Sequence, residues 1–406
     1  MAAVTGQMLR LLRERQGIGL RAVARRSRGG MALSDSHLSR VERGERQVTP
    51  AVMAAYERAI GIPITVDVIS DLAEQHPHQD REWERFHSNI AMLAGGGLVG
   101  HDPDRLLDEG SGYVGSPTRV GHSDVVQVEQ AAVSVRSLGF RQGGELAGYL
   151  ATQVLRWASG MYCACMANEV RRRLDVAIGS VAAWAGWSAC DSHRFGAARA
   201  LLEFALGAAV RADEPDLRAH VLVDIAGLRH YLGCPTDALR VLRLADGDER
   251  IGPAVQSMLH GARARVYAGM GERDVCEREV QLVEDAAARV EPQAVPDWLG
   301  GWEFAHVQAI CGHAYGQLAE VSGSLAELTE AHKRLSNAAD DLVSTRPRTA
   351  ALCLTRLALA HQRFGNADEV VAWSRHARQV ATNLRSARVD RDLQCIQDAA
   401  EGTPAR

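Results

Sequence analysis

The 406-residue chain holds a single lysine, Lys333, among 46 basic residues, and only 5% of it is aromatic. So few aromatics argue against a sheet protein, because aromatic and β-branched side chains favour strands, whereas the Ala and Leu that dominate the apolar residues here favour helices. The scarcity of lysine beside so many arginines reads as the codon usage of a GC-rich genome. Long apolar runs are absent: the longest, Ile90–Gly100, is half the roughly 20 residues that a spanning helix needs. The N-terminus carries no apolar signal core, so the expected location is the cytoplasm, with no membrane partner. The eight cysteines include no CxxC pair, since Cys163 and Cys165 are one residue apart, and they are expected to be buried free thiols rather than zinc ligands. No P-loop, GxSxG, HExxH or deaminase-type His/Cys set occurs, so the chain is expected to be a binding protein without a cofactor, not an enzyme. Gly95, Gly97 and Gly100 match GxGxxG, but no strand precedes them, and the dinucleotide fingerprint needs one.

What is present is unevenly charged. Residues 1–60 hold 11 Arg against 5 acidic residues, a net of +6, and the remainder carries a net of −10. A basic first domain on an acidic body predicts a polyanion-binding module attached to a part with another task.

Four short helical patterns fill Thr5–Gly61. The first, about Thr5–Gln16, has Met8 and Leu12 on one face; the second, about Leu20–Ser27, turns Leu20, Val23 and Ala24 inward. The third runs about Asp35–Arg43, with Ser34 placed to cap it and Gly44 to end it. Thr49-Pro50 starts the fourth, which turns Val52, Tyr56 and Ile60 inward. In the third, Leu38 and Val41 anchor the core side, leaving Asp35, Ser36, Ser39, Arg40 and Arg43 outward. That mixture of short polar residues with Arg suits the major groove: Arg40 can reach guanine edges, and Asp35 and Ser36 can meet cytosine or adenine. His37, Arg43 and Arg46 are placed for phosphates, which fix position without reading sequence.

The run LRLLRERQGIGLRAVARRS…LSDSHLSRVERGERQVTP resembles the lambda-repressor-like (XRE) helix-turn-helix. The resemblance implies that Asp35, Ser36 and Arg40 occupy base-reading positions, that Glu42 pairs with Arg25 or Arg26, and that the partner is a double-stranded DNA operator. Two features depart from the family. The turn Arg28–Ala32 is about four residues longer than usual, and Leu20 starts the second helix where many relatives place a phosphate-binding Gln.

The expected organisation is all-α: a helix-turn-helix bundle over residues 1–62, a connector over 63–123, and a helical-hairpin array (an α-solenoid) over 124–400. Two amphipathic helices broken at Gly143-Gly144 open the array. Similar units follow at Ala182–Ala205, Leu222–Ala245, His260–Val283 and Leu354–Ala377, with a less regular one near Trp302–Ala331. Ala198, Ala238 and Cys276 correspond, 40 and 38 residues apart. These units resemble tetratricopeptide-type (TPR) hairpins with a lengthened repeat, which must stack because a single hairpin cannot bury its own apolar face. The first helix of each hairpin is expected to line a concave groove. Aligning the units places Trp187, Asp191, His220, His230, Tyr231, Arg265, His306, His313 and Gln317 there, a composition that suits a small molecule or peptide. No HxxxH or HxxE pair recurs, so no metal is expected. The whole resembles the actinobacterial regulators that join an XRE domain to TPR-like repeats. That resemblance implies a homodimer controlling specialised metabolism, development or a mobile element. The competing reading is an interaction scaffold whose array binds a protein partner and whose DNA head only localises it.

Overall fold

The computed structural model describes residues 9–10, 13, 20, 23–24, 33–43, 46–49, 51–53, 55–56, 117–300 and 302–400. The chain divides into two compact units, Met1–Gln79 with Gly402–Arg406, and Asp80–Glu401. The fold is all-α: the described residues contain no strand, only one isolated bridge between Arg119 and Cys165.

The first unit has a small core of Leu9, Val23, Leu38, Val41, Val52, Ala55 and Tyr56, each fully buried. Each large apolar side chain among them contributes about 1.5–3 kcal/mol on removal from water. Its helix α1 (Asp35–Glu42) is capped where Ser34 Oγ accepts from His37 N at 3.2 Å. Thr49 Oγ1 likewise accepts from Val52 N at 3.3 Å, starting the next helical segment at the expected cap. Leu20 and Ala24 pack on the core beside Val23. The expectations for Met8, Leu12, Gly44, Pro50, Ile60, the turn at 28–32, the Gly95/Gly97/Gly100 motif and the connector over 63–116 fall outside the described residues.

The second unit is a run of antiparallel hairpins. Its helices are α2 (His122–Gln142), α3 (Gly144–Ser159), α4 (Asn168–Asp191), α5 (Phe195–Ala212), α6 (Pro215–Tyr231), α7 (Pro235–Leu242), α8 (Pro253–Gly269), α9 (Arg273–Ala288), α10 (Phe304–Ser322), α11 (Leu325–Leu342), α12 (Pro347–Arg363), α13 (Ala367–Ala381) and α14 (Ala387–Ala400). The break at Gly143 falls where expected, and the array begins slightly earlier than 124: Val120 N donates to Cys165 O, and Cys165 N to Thr118 O, both at 3.1 Å.

Local chemistry explains the boundaries. Proline opens α6, α7, α8 and α12, where its missing N–H costs no helical bond. Gly233 and Gly271 turn the chain out of α6 and α8 at φ +78° and +76°, a region that only glycine enters without strain. At the equivalent turn after α4 the left-handed residue is His193 (φ 57°). Tyr231 OH lies 2.9 Å from its Nε2, in a cluster of stacked rings with Phe195.

Each helix packs on its chain neighbour, and α4, α6, α8, α10 and α12 also pack successively on one another, forming an inner row. One feature departs from an open stack: the ends of the array meet. Asp191, at the end of α4, is buried and accepts from Arg348 Nε of α12 at 3.0 Å, from Ser386 Oγ at 2.7 Å and from Gly144 N at 3.1 Å. Arg385 N donates to Gln142 O at 2.7 Å, and α12 packs on α2. The superhelix therefore closes on itself.

The thiols are free. Cys190, Cys234, Cys276, Cys311 and Cys353 are buried as expected, but Cys163 and Cys165 are exposed. The reason is local: they sit in and after a short 3-10 turn, Gly160–Cys163, not on a helix face.

Candidate functional site

Helix α1 divides cleanly by face. Leu38, Val41 and Glu42 are buried. Ser34, Ser36, Arg40, Arg43 and Arg46 are exposed, and Asp35, His37 and Ser39 partly so. Arg43 Nη1 donates to Ser39 Oγ at 2.7 Å, and Arg46 Nη1 to His37 Nδ1 at 3.2 Å, so two cations are held beside the outward face by side chains of that helix. Asp35 in the first turn and Arg40 in the last complement the helix dipole. Presented this way, α1 can offer base-reading groups from its first turn and from Arg40, and phosphate-holding cations from its end.

The floor of α1 is a buried ion pair. Glu42 is held by Arg13, whose Nε and Nη2 donate to its two oxygens at 2.7 and 2.8 Å, and by Tyr56, whose OH donates to Oε1 at 2.6 Å; the expected partners Arg25 and Arg26 lie outside the described residues. Arg13 lies one helical turn after Leu9, on the face that enters the core, so its fork reaches the buried carboxylate. Burial, and then the adjacent Glu42 charge, raises the Tyr56 pKa well above the usual phenol value.

In the second unit the inner row of helices surrounds a cavity of about 220 Å³. The lining follows one stripe on each first helix, recurring at three, four and seven residues. Trp184 and Trp187 come from α4; His220, Asp224, Gly227 and His230 from α6; Gly261 and Arg265 from α8; His306 and His313 from α10; Arg348 and Arg356 from α12, with Arg346 just before it. Arg136 and Phe140 of α2 and Arg388 of α14 complete the wall, and Trp298 and Trp302 flank it from the segment before α10.

Six of the nine expected groove residues line the cavity: Trp187, His220, His230, Arg265, His306 and His313. The other three do not. Asp191 is consumed in the closing knot with Arg348 and Ser386. Tyr231 is held outside by His193 and by Arg391, whose Nη1 donates to its OH at 3.0 Å. Gln317 sits one turn beyond the lining stripe, its Nε2 3.3 Å from His230 Nε2. Trp184 and Arg356, not foreseen, lie on the same stripes as Trp187 and Thr349 and were readable from that spacing. Arg136 and Arg388 reach the cavity only because the array closes.

The cavity's electrostatics are lopsided. Arg346 pairs with Glu303 at 2.8 Å and Arg348 with Asp191. Arg136 donates only to a backbone carbonyl, that of Asp297, at 3.3 Å. Arg388 lies over the Trp187 and Tyr231 rings, at 5.2 and 5.0 Å. Burial, and then the neighbouring Arg388, pushes Arg356 down to about 10, and burial followed by Arg346 does the same to Arg136. Burial and the charges of Arg356 and Arg388 take Arg265 well below the guanidinium range. Burial also pushes His220, His230 and His306 down to about 4, helped by Arg136, Arg265 and Arg346 respectively. The lining carboxylate, Asp224, is raised by burial to about 8, with His220 Nε2 3.7 Å away. Near neutral pH burial thus favours the uncharged forms of His220, His230, His306 and Asp224.

One further cluster was unforeseen. His332 Nδ1 lies 2.9 Å from His361 Nε2, with Glu369 close enough for the three to hold a metal ion. Their present contacts are with each other, Asn366 and Trp373.

With both sites in view, comparison gives a class. Residues 6–66 match the family model of a helix-turn-helix domain. No curated protein and no solved structure matches the chain. The chain therefore carries an N-terminal DNA-binding helix-turn-helix of the kind found in regulators, followed by an all-α solenoid-like array. No helix among the described residues is long and apolar enough to cross a membrane.

Proposed function

We propose that this protein is a sequence-specific transcription regulator of the XRE type, a homodimer whose TPR-like array binds a small-molecule effector in its central cavity. The observation that carries the DNA half is α1: a capped helix whose core side is fixed by Leu38, Val41 and the Glu42–Arg13 pair, presenting Ser36 and Arg40 outward. Arg40 reads a guanine, Asp35 and Ser36 contact adjacent bases, and Arg43, Arg46 and His37 hold phosphates. The closed array supports a small effector over a peptide, because about 220 Å³ lies below the roughly 300–1,000 Å³ of drug-sized pockets. An exposed apolar stripe on α3, Leu146, Tyr149 and Leu150 at three- and four-residue spacing, supports self-association. The effector acts by its differential affinity for the DNA-bound and free states.

Selection of genomic fragments by the purified protein over a salt series tests this reading. Recovery of an inverted repeat, with affinity falling steeply as salt rises, is the expected result. Arg40→Ala should cost roughly 1–3 kcal/mol at the selected site and relax one base preference. Unchanged affinity and preference in that variant would remove Arg40 from its assigned role. Sequence-blind binding, together with stoichiometric capture of a protein partner, would instead favour the scaffold.

A further inference from the structure

The cavity contains hydrogen-bond donors without partners and guanidinium groups without a directly paired carboxylate. Among the described residues, no carboxylate oxygen lies within 4 Å of the Arg136, Arg265, Arg356 or Arg388 guanidinium. Arg265 Nε, Trp184 Nε1 and Trp302 Nε1 are buried without a hydrogen-bond partner, and each can only donate. His220 Nδ1 and His230 Nδ1 are also buried and unpartnered. An interior satisfies its polar groups unless something outside the chain does so. Here these groups converge on one cavity from six helices and a flanking segment. The cavity is also rich in flat apolar surface: the indoles of Trp184, Trp187, Trp298 and Trp302 line it.

We infer that the ligand of this cavity is a small planar aromatic acid, its anionic group (carboxylate or phosphate) held by Arg265 and Arg356 and its ring against the indoles. This rests on the reading of the array as an effector site and names the chemistry of that effector. A guanidinium fork matches either anion in two parallel hydrogen bonds, and the excess of donors over acceptors selects against cations and neutral donors. Occupation also brings an anion near Arg136 and Arg388, whose direct contacts are with a backbone carbonyl and with aromatic rings respectively.

Matched probes separate charge from shape. Naphthoate, naphthyl phosphate and the neutral naphthamide, and likewise benzoate and benzamide, are titrated into the full-length protein by calorimetry and thermal shift. At least one acid is expected to bind at least about tenfold more tightly than its amide, and the stronger of naphthoate and naphthyl phosphate identifies the anionic group. Arg265→Met and Arg356→Met should each weaken the acid about tenfold while moving the amide little. Gly227→Leu should remove both, because a Cβ there meets only Trp187, at 3.7 Å, and the longer side chain enters the cavity. The ligand-free Arg265→Met protein is expected to melt higher than the parent, since it loses a charge without a partner. Amides that bind as tightly as the acids would overturn the inference and leave the effector reading standing. Acid binding that is indifferent to both arginine replacements would overturn it too, as would a lower melting point for Arg265→Met, which would make that arginine structural. Failure of every acid and amide to bind would overturn the effector reading as well.

Discussion

Replacing Arg13 by Ala should cost the protein its DNA binding although Arg13 belongs to the buried floor of the reading helix. Glu42 is 4% exposed and is held by both arms of Arg13 at 2.7 and 2.8 Å and by Tyr56 at 2.6 Å. Removing one partner of a buried pair leaves a charge without compensation and costs about 3–5 kcal/mol. The matched domain, residues 6–66, has at roughly 0.05–0.15 kcal/mol per residue only about 3–9 kcal/mol in total. At about 4–8 °C per kcal/mol for a domain of this size, the melting transition of the head should fall by about 12–40 °C. Scanning calorimetry of the full chain, with the array's transition as an internal control, reads this directly. Operator affinity at 37 °C should fall with it. A second variant, Arg13→Met with Glu42→Leu, should recover most of the loss, because buried pairs are often replaceable by apolar groups of similar volume. A head transition that moves by less than about 5 °C in Arg13→Ala would refute the assignment of this pair as the domain's keystone.

Three further outcomes are expected. Arg46→Ala should weaken binding almost equally across sequences and lower the salt slope by about one, as loss of a phosphate contact does, and a changed base preference would contradict that role. Asp191→Asn should destabilise the array by about 3–5 kcal/mol, as loss of one partner of a buried pair does, because the Arg348, Ser386 and Gly144 contacts all end on that carboxylate; thermal melts followed by circular dichroism check it. Array stability should peak near pH 6.5. Below that, the unfolded chain binds protons that His220, His230 and His306, with folded values of about 4, do not, so stability falls as pH drops from about 6.5 towards 4. Above it, folded Asp224 keeps until about pH 8 a proton that the unfolded chain has already lost, so stability falls again. Urea unfolding at pH 5, 6.5 and 8 tests both limbs, and a flat profile would refute the neutral-histidine cavity.

Much of this was legible in the sequence because it is local. The three-residue spacing of Leu38 and Val41, the Ser34 and Thr49 caps, and the Gly143 break each act within a few residues, and each appears where the pattern puts it. The first-helix stripes were likewise visible through His220, His230, Arg265, His306 and His313. What escaped depends on distant parts of the chain meeting. Nothing near Asp191 encodes that Arg348 lies 157 residues on and within reach. An alignment of repeats treats Asp191 and Tyr231 as groove residues because it assumes an open stack. The Arg13 contact to Glu42 escaped for a related reason: it joins segments 29 residues apart, and nothing near Glu42 encodes that meeting. Cys163 and Cys165 depart from the expected burial because they lie in and just after a 3-10 turn, where neighbouring helices do not cover them.

The join at Asp191 alters how this array can change over time. An ordinary stack of repeats tolerates addition or deletion of a unit, since each contacts only its neighbours and the ends stay free. Here the first and last hairpins must arrive at one carboxylate. Duplicating or losing any unit would displace one end by a full repeat and open the ring. The number of hairpins is thus locked by geometry, and descendants of this chain can vary the cavity by substitution but not by counting.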